Sequence, residues 1–123
     1  MQNHCVLISG PTVAGDNDLE QGLQATAIVL KNAENCRVES TLADRPIDLV
    51  LLEFLANNSF AELKIIQKLK TRYPKLKIVV IADHADREAL AEAFACGAQD
   101  AFRKPYKTAL IVERVKALLN YPE

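Results

Sequence analysis

Short apolar runs alternate along the chain with longer segments whose apolar residues recur at helical spacing. The most apolar run covers residues 47–52, in which Asp48 is the only polar member and branched side chains dominate. An unalternated run of this length is typical of a strand that is buried on both faces of a parallel sheet. Similar runs at residues 4–9 and 78–81 predict two further strands, and a shorter one follows at residues 101–102.

The segment between the first and the third of the five predicted strands fits two assignments. In one, an apolar stripe predicts a long helix that runs to about Glu34 and is followed by a strand at residues 36–41. In the other, the helix ends near Gln24, a strand occupies residues 27–30, and a short second helix covers residues 35–43. The stripe consists of Leu19, Leu23, Ala27 and Leu30.

The stripe favours the long helix, whereas the length of the next connection favours the alternative. A crossover between parallel strands needs about a dozen residues or more, and the long helix leaves only residues 42–47 for it. We predict the long helix, with a second helix that is short or absent. Its start is assigned to Asp16 or Asp18, because either carboxylate can accept from the free N–H groups of the first turn.

Three further helices are predicted at about residues 61–72, 86–96 and 108–120, each between two strands or after the last one. In the second of them, Leu90 and Phe94 are expected to face the core. The core face predicted for the last helix consists of Leu110, Ile111, Val115, Leu118 and Leu119. Because strand and helix alternate five times, the pattern predicts a three-layer α/β fold.

Composition and charge exclude several classes of protein. The length of 123 residues and the ordinary mixture of apolar and charged side chains indicate one globular domain, residues 1–123. The net charge of −1 argues against direct nucleic-acid binding. No apolar run reaches the roughly 18–20 residues of a membrane span and no signal peptide opens the chain, so a cytoplasmic protein without membrane contact is expected. The cysteines, Cys5, Cys36 and Cys96, lie far apart and predict neither a disulfide nor a metal site.

The second half of the chain resembles the receiver domain of two-component response regulators. The resemblance rests on the strand that ends in Glu53, the strand that ends at Ala82, residues 97–100 (Gly-Ala-Gln-Asp) and the dipeptide Lys104-Pro105. The spacings agree as well, with 29 residues from Glu53 to Ala82 and 22 from Ala82 to Lys104. The resemblance implies a flavodoxin-like fold, in which a five-stranded parallel sheet of order 2-1-3-4-5 carries helices on both faces.

The resemblance also implies the parts of a phosphorylation switch. In that family an Asp at the position of Glu53 accepts a phosphoryl group, and two acids after the first strand hold the magnesium ion that neutralises it. A Thr or Ser at the position of Ala82 follows the phosphoryl oxygens, and a Lys at the position of Lys104 pairs with them. An aromatic side chain near Ala101 turns inward. The bond before Pro105 is expected to be cis.

The chain departs from this pattern at nearly every position. No carboxylate follows the first strand, the phosphoacceptor is one methylene too long, the hydroxyl and the aromatic ring are missing, and only the lysine is kept. The degenerate site consists of Glu53, Lys104, Ala82, Gly10, Pro11 and Ala101, with Ser9 before Gly10. Without magnesium ligands, phosphoryl transfer loses the charge stabilisation that provides most of its catalysis. We therefore expect no catalytic residue, no metal and no cofactor.

Glu53 and Lys104 are expected to lie within ion-pair distance at the carboxyl edge of the sheet. Two interpretations of the pair stay open: Glu53 mimics a phosphorylated state, or the pair is the remnant of a decayed site. We expect an exposed pair, which contributes only ~0–1 kcal/mol to stability.

The predicted function is that of a pseudo-receiver, a non-catalytic signalling domain of a response regulator that acts through a protein partner or effector domain. A homodimer through the face of the fourth and fifth helices is one form of such contact. One alternative is a phosphorylatable receiver. Another is a flavodoxin-like module that binds a small anion or nucleotide, for which the spacing of Gly10 and Gly15 is the only support. Asp16 and Asn17 stand where that motif requires Lys and then Ser or Thr.

Two further groups of residues have a functional and a structural interpretation. A charged face is expected either to meet partners or to be solvated surface; its members are Arg87, Glu88, Arg103, Lys107 and Arg114. His84 and Asp83 follow the fourth strand near the site. We interpret them as a solvated loop histidine and a helix cap rather than as ligands.

Overall fold

The computed structural model describes residues 4–55, 59–82 and 87–120. Within these residues, five strands alternate with five α-helices. The strands are β1 (Cys5–Ser9), β2 (Ile28–Asn32), β3 (Leu49–Glu53), β4 (Lys77–Ala82) and β5 (Asp100–Arg103). The helices are α1 (Asn17–Gln24), α2 (Val38–Asp44), α3 (Ser59–Arg72), α4 (Arg87–Cys96) and α5 (Thr108–Asn120). Single 3-10 turns at Val13–Gly15 and Asn35–Arg37 precede α1 and α2.

The strands form one parallel sheet of order β2-β1-β3-β4-β5, which confirms the predicted three-layer, flavodoxin-like fold. The strand order reverses between β1 and β3, and open α/β sheets bind their ligands at such a point. The register places Ser9, the last residue of β1, beside Leu52. Glu53 therefore lies next to the loop that leaves β1.

The two faces of the sheet carry separate hydrophobic cores. On one face α2, α3 and α4 cover side chains such as Val50 and Leu52, and on the other α1 and α5 cover Leu49 and Leu51. All five residues of β3 are buried. Both faces of this strand are covered by helices, and this explains why its apolar residues do not alternate with polar ones.

The long first helix is wrong, and the alternative assignment is the one that the structure shows. Helix α1 starts at the Asp16 cap, whose carboxylate accepts from the Leu19 N–H at 3.1 Å. It ends at Gln24, after which Thr26 and Ala27 donate to the Leu23 carbonyl at 3.1 and 3.0 Å.

The residues after that turn form β2 instead of continuing the helix. The crossover rule outweighs the apolar stripe, because residues 33–48 now supply enough chain to connect the parallel strands β2 and β3. The β-branched pair Ile28 and Val29 also favours a strand. The second helix is present and short, as the alternative assignment stated.

Two large side chains expected in the core are exposed. Phe94 on α4 is 48% exposed and Leu110 on α5 is 55% exposed. Helix α4 buries Ala89 and Ala93 instead, because two small residues one turn apart place the helix close against the sheet. The other members predicted for the core face of α5 are buried or half-buried.

No helix in the described part of the chain combines the length and the apolar character that crossing a bilayer requires.

Candidate functional site

Glu53 ends β3 with its side chain only 1% exposed, and four hydrogen bonds converge on its carboxylate. Oε1 accepts from the backbone N–H groups of Thr12 at 2.9 Å and Val13 at 3.2 Å. Oε2 accepts from the Thr12 hydroxyl and from the Lys104 ammonium group. An ionised carboxylate offers about four lone-pair positions. Each oxygen of Glu53 therefore has two partners.

The loop after β1 is shaped to hold this carboxylate. Gly10 has a φ of +140°, a conformation that residues with a side chain rarely adopt. A Cβ at this position would lie 2.3 Å from Cβ and 2.4 Å from Oε1 of Glu53. The chain then turns into the 3-10 turn that starts at Val13. The N–H groups of Thr12 and Val13, at the start of this turn, point at the carboxylate as those of helix N-termini point at anions.

Lys104 follows β5 and reaches Glu53 from that side of β3, whereas the loop after β1 approaches from the opposite side of the strand. Its backbone N–H donates to the Ala82 carbonyl at 2.8 Å, which fixes the chain directly after β5. Its ammonium group also lies 3.3 Å from the Thr12 hydroxyl oxygen. The predicted contact between Glu53 and Lys104 is confirmed, and the bond between Lys104 and Pro105 is cis as predicted.

The expectation of an exposed ion pair is wrong. The Glu53 side chain is buried and that of Lys104 is 27% exposed, because the loop after β1 closes over the carboxylate. Burial alone would raise the pKa of Glu53, but the hydrogen bonds from Lys104, Thr12 and Val13 outweigh it and hold the pKa below its usual value. Glu53 is therefore ionised at neutral pH.

Thr12 is the site residue that the sequence analysis missed. It donates to both oxygens of Glu53, once through its N–H and once through its hydroxyl. Its position directly after Gly10-Pro11, in the loop where the resemblance places the magnesium-binding acids, is the one signal in the sequence, but this position does not indicate the contact with Glu53.

A second group of buried and half-buried polar side chains lies beneath the site, and of its members only Ser9 was named from the sequence. The Ser9 hydroxyl oxygen is 2.8 Å from Asn32 Oδ1 and 2.6 Å from Asn35 Oδ1. One hydroxyl carries one proton, so one of the two amides presents its NH2 group to Ser9. Asn32 is the one able to do so, because the Asn35 NH2 group donates to the backbone oxygen of Glu53 at 2.8 Å.

Glu62, on the first turn of α3, completes this group. It accepts from the Asn35 NH2 group at 3.2 Å and is only 2% exposed. Burial raises the pKa of Glu62, and the negative charge of Glu53 raises it further, against the lowering effect of the Asn35 hydrogen bond. The two neighbouring carboxyl groups thus have pKa values shifted in opposite directions.

The remaining predicted positions bring no polar side chain to the site. Ala82 is buried at the end of β4 and Ala101 is half-buried in β5. Pro11 is exposed in the loop after β1. The predictions for His84 and Asp83 lie outside the described residues.

Tyr106 is one of two aromatic side chains two residues from Lys104; the other is Phe102. The Tyr106 hydroxyl donates to Asp16, the residue that caps α1. Burial and this hydrogen bond raise the pKa of Tyr106 above its usual value. The ring is therefore tied to the β1–α1 side of the domain.

The chain is similar in sequence to curated response regulators, although no protein-family model matches it. It is 28% identical over 85 residues to a protein of Rickettsia bellii described as a putative response regulator NtrX-like. The matched region covers 68% of this chain and 18% of that protein. It is 29% identical over 109 residues to the DNA-binding transcriptional regulator NtrC of Escherichia coli K12, which covers 85% of this chain and 23% of that protein. The chain thus spans about a fifth of the length of these relatives.

Solved structures share its fold over nearly the whole chain. An orphan response regulator of H. pylori has a TM-score of 0.83 at 24% identity and covers 95% of this chain and 97% of that one. The receiver domain of NtrX from Brucella abortus has a TM-score of 0.81 at 20% identity, with 95% and 99% covered. A response regulator from Thermotoga maritima has a TM-score of 0.84 at 19% identity, with 97% and 99% covered. The fold and these sequence similarities together point to a receiver domain of the response-regulator type.

Proposed function

We propose that residues 1–123 form a pseudo-receiver, a single signalling domain that acts through protein contacts and is not phosphorylated at Glu53. One observation carries this proposal: the Glu53 carboxylate is 1% exposed and both of its oxygens are fully hydrogen-bonded. A nucleophile needs a lone pair that is aligned with the phosphoryl donor. For Glu53 to attack, it would first have to give up at least one of these donors and become accessible.

The loop that would supply magnesium ligands in a receiver supports the same proposal. Ser9 and Gly10 offer no carboxylate, and Ser9 is already hydrogen-bonded in the buried polar group. The space at Gly10 is occupied by Glu53 itself, so that an acid there would collide with the Cβ of Glu53. Among the described residues, no three His, Cys, Asp or Glu side chains are grouped so that they could hold a metal ion.

A state that does not depend on phosphate would act through the surface of α4, β5 and α5. Response-regulator receivers contact effector domains or other proteins, and here Phe94 and Leu110 expose large apolar side chains. The expected charged face lies on these elements and, at Lys107, directly before α5. Within it, Arg114 pairs with Asp100 at 2.6 Å. We propose that this surface contacts a protein partner or a second copy of the chain.

The test is self-association, measured by sedimentation velocity with and without acetyl phosphate and magnesium. We expect the same distribution of species in both conditions, because nothing in the site is modified. Phe94→Ala/Leu110→Ala should shift the distribution towards monomer if the second copy is the partner. A wild-type distribution that changes with the phosphoryl donor would overturn the proposal.

A further inference from the structure

Basic side chains are concentrated in one segment of the sequence. Residues 64–77 contain six of the fifteen Lys and Arg residues and none of the sixteen Asp and Glu residues. The remainder of the chain therefore has nine basic and sixteen acidic residues, a net charge of −7. The overall charge of −1 is therefore the sum of a strongly basic segment and an acidic remainder. The segment covers most of α3 and the turn that leads into β4.

Four of these six cations point to solvent. Lys70 donates to the carbonyl groups of Pro74 at 3.1 Å and Leu76 at 2.7 Å, and Lys77 is 8% exposed. The other four are Lys64, Lys68, Arg72 and Lys75, all exposed. None of these four forms a salt bridge with a carboxylate in the part of the chain that the structure describes.

Three of the exposed cations lie in one row on the surface of α3, together with an exposed aromatic side chain. Phe60, Lys64, Lys68 and Arg72 follow one another at intervals of four residues on α3, and we call them the α3 stripe. They are neighbours on the helix surface and extend over about 18 Å. Phe60 is 70% exposed, and the Lys64 ammonium group lies 5.0 Å from the centre of its ring.

A groove borders the second half of the α3 stripe, Lys68 and Arg72, on the side of α2. It has a volume of about 370 Å³ and is lined by Glu39, Gln67, Lys68, Thr71 and Arg72. Arg72 also borders a depression of about 740 Å³ at the opposite end of the sheet from Glu53, where Tyr73 and Leu76 supply apolar surface. The surface therefore combines cations, an exposed aromatic ring and concave regions.

We propose that the α3 stripe and the adjoining groove bind an acidic amphipathic helix of a partner protein. Carboxylates spaced one turn apart on such a helix would pair with Lys64, Lys68 and Arg72, and an apolar residue at its end would cover Phe60. Aromatic and Arg side chains are the groups that most often anchor protein interfaces. Glu39 within the groove would repel any anion. A helix can place a neutral polar residue opposite Glu39, whereas a continuous phosphate backbone cannot, so a peptide with mixed polar and acidic groups fits better than a nucleic acid.

This surface is distinct from Glu53 and from the α4–β5–α5 surface, so the proposal stands or falls separately from the proposed function. The probe is a fluorescent synthetic helix of about 18 residues with Glu at every fourth position beside Leu. A peptide of the same length with Lys in place of Glu is the control probe. Binding to the full chain is followed by fluorescence anisotropy at low salt.

The test variant is Lys64→Gln/Lys68→Gln/Arg72→Gln, and Phe60→Ala tests the aromatic ring separately. Three exposed cations elsewhere give a control with the same change of charge, Lys31→Gln/Arg45→Gln/Lys116→Gln; of these, Lys31 pairs with Glu20 at 2.8 Å. Thermal melting establishes that each variant is folded. We expect the stripe variant to weaken binding of the acidic peptide by at least about tenfold, while the control variant stays within about twofold.

Three results would overturn the proposal. The first is an acidic peptide that does not bind, or binds no better than the basic peptide. The second is equal loss of affinity in the stripe and control variants, because that would show a general effect of charge. The third is tighter binding of a single-stranded oligonucleotide, or of vesicles rich in phosphatidylserine, through the same side chains.

Discussion

At the scale of single residues, the four donors around Glu53 keep it charged and, in the proposed function, prevent it from acting as a nucleophile. A buried carboxylate without partners would be neutral, and a carboxylate with only a lysine partner would keep lone pairs for chemistry. Thr12 changes this balance because it supplies two of the four hydrogen bonds. The sequence identified Glu53 and Lys104 through their spacing, but it did not identify Thr12, since that contact depends on how closely the loop after β1 approaches β3.

Replacement of the carboxylate tests this view directly. Glu53→Gln keeps the size of the side chain but puts an NH2 group against donors, so we expect a loss of roughly 1–3 kcal/mol in the free energy of unfolding. Thr12→Val removes the hydroxyl and keeps the N–H, and its cost should be smaller. Urea denaturation measures both. An unchanged or higher stability of Glu53→Gln would show that the charge is not needed in the native state.

The shifted pKa values of Glu53 and Glu62 predict opposite dependences on pH. The stabilising effect of Glu53, whose pKa is lowered, is present above the unfolded-state pKa of about 4.3 and is lost as the pH falls through the folded-state pKa. Glu62 has a raised pKa, so its contribution declines as the pH rises from about 4.3 through the folded-state pKa.

Glu62→Gln removes the second effect only. We compare the free energy of unfolding of the variant with that of wild type, measured by urea titration at pH 4 and at pH 8. The difference, variant minus wild type, should be more positive at pH 8, because only wild type loses the contribution of Glu62 as the pH rises. If the difference between the two proteins is the same at both pH values, Glu62 does not titrate as its surroundings indicate.

At the scale of elements, the loop between β1 and α1 is the part that distinguishes this domain. Gly10 is needed there for two reasons, its positive φ and the close approach of Glu53. Gly10→Ala is expected to cost at least about 1–3 kcal/mol from the backbone conformation, in addition to the cost of the clash. Gly15 is the matched control, because nothing lies within 4 Å of the position of its Cβ.

The measurement is the midpoint of urea unfolding for both alanine variants. Gly15→Ala should stay within about 0.5 kcal/mol of wild type. Equal stability of the two variants would mean that the loop relaxes away from Glu53 without cost.

The elements also show where a sequence pattern is insufficient. The stripe through Leu19, Leu23 and Leu30 fits a helix, yet Leu30 lies in β2 because the crossover to β3 needs the intervening chain. A pattern based on neighbouring residues does not include this requirement. On α4, Phe94 fits a core position by spacing, but the pair Ala89 and Ala93 packs against the sheet. The length of the crossover in the first case and the packing of α4 in the second outweigh local periodicity.

At the scale of the whole molecule, the alternation of strands and helices sufficed to predict the fold class, and the resemblance supplied the strand order. The apolar runs at β1, β3 and β4 were unambiguous because these strands are buried on both faces. The buried polar group around Asn35 and Glu62 was not predictable, since its members come from separate elements. The charge polarity of the molecule, in contrast, can be read from the sequence once residues 64–77 are counted apart from the rest.

We propose that this domain with a receiver-like fold does not accept a phosphoryl group at position 53, even when Glu53 is shortened to Asp. The most direct measurement is the intact mass of wild type and Glu53→Asp after incubation with acetyl phosphate and magnesium, beside a receiver with a complete acid pair as positive control. We predict no added phosphoryl group on either protein, because Ser9, Gly10 and Pro11 supply no carboxylate to magnesium. The gain of one phosphoryl group by wild type or by Glu53→Asp would contradict the account.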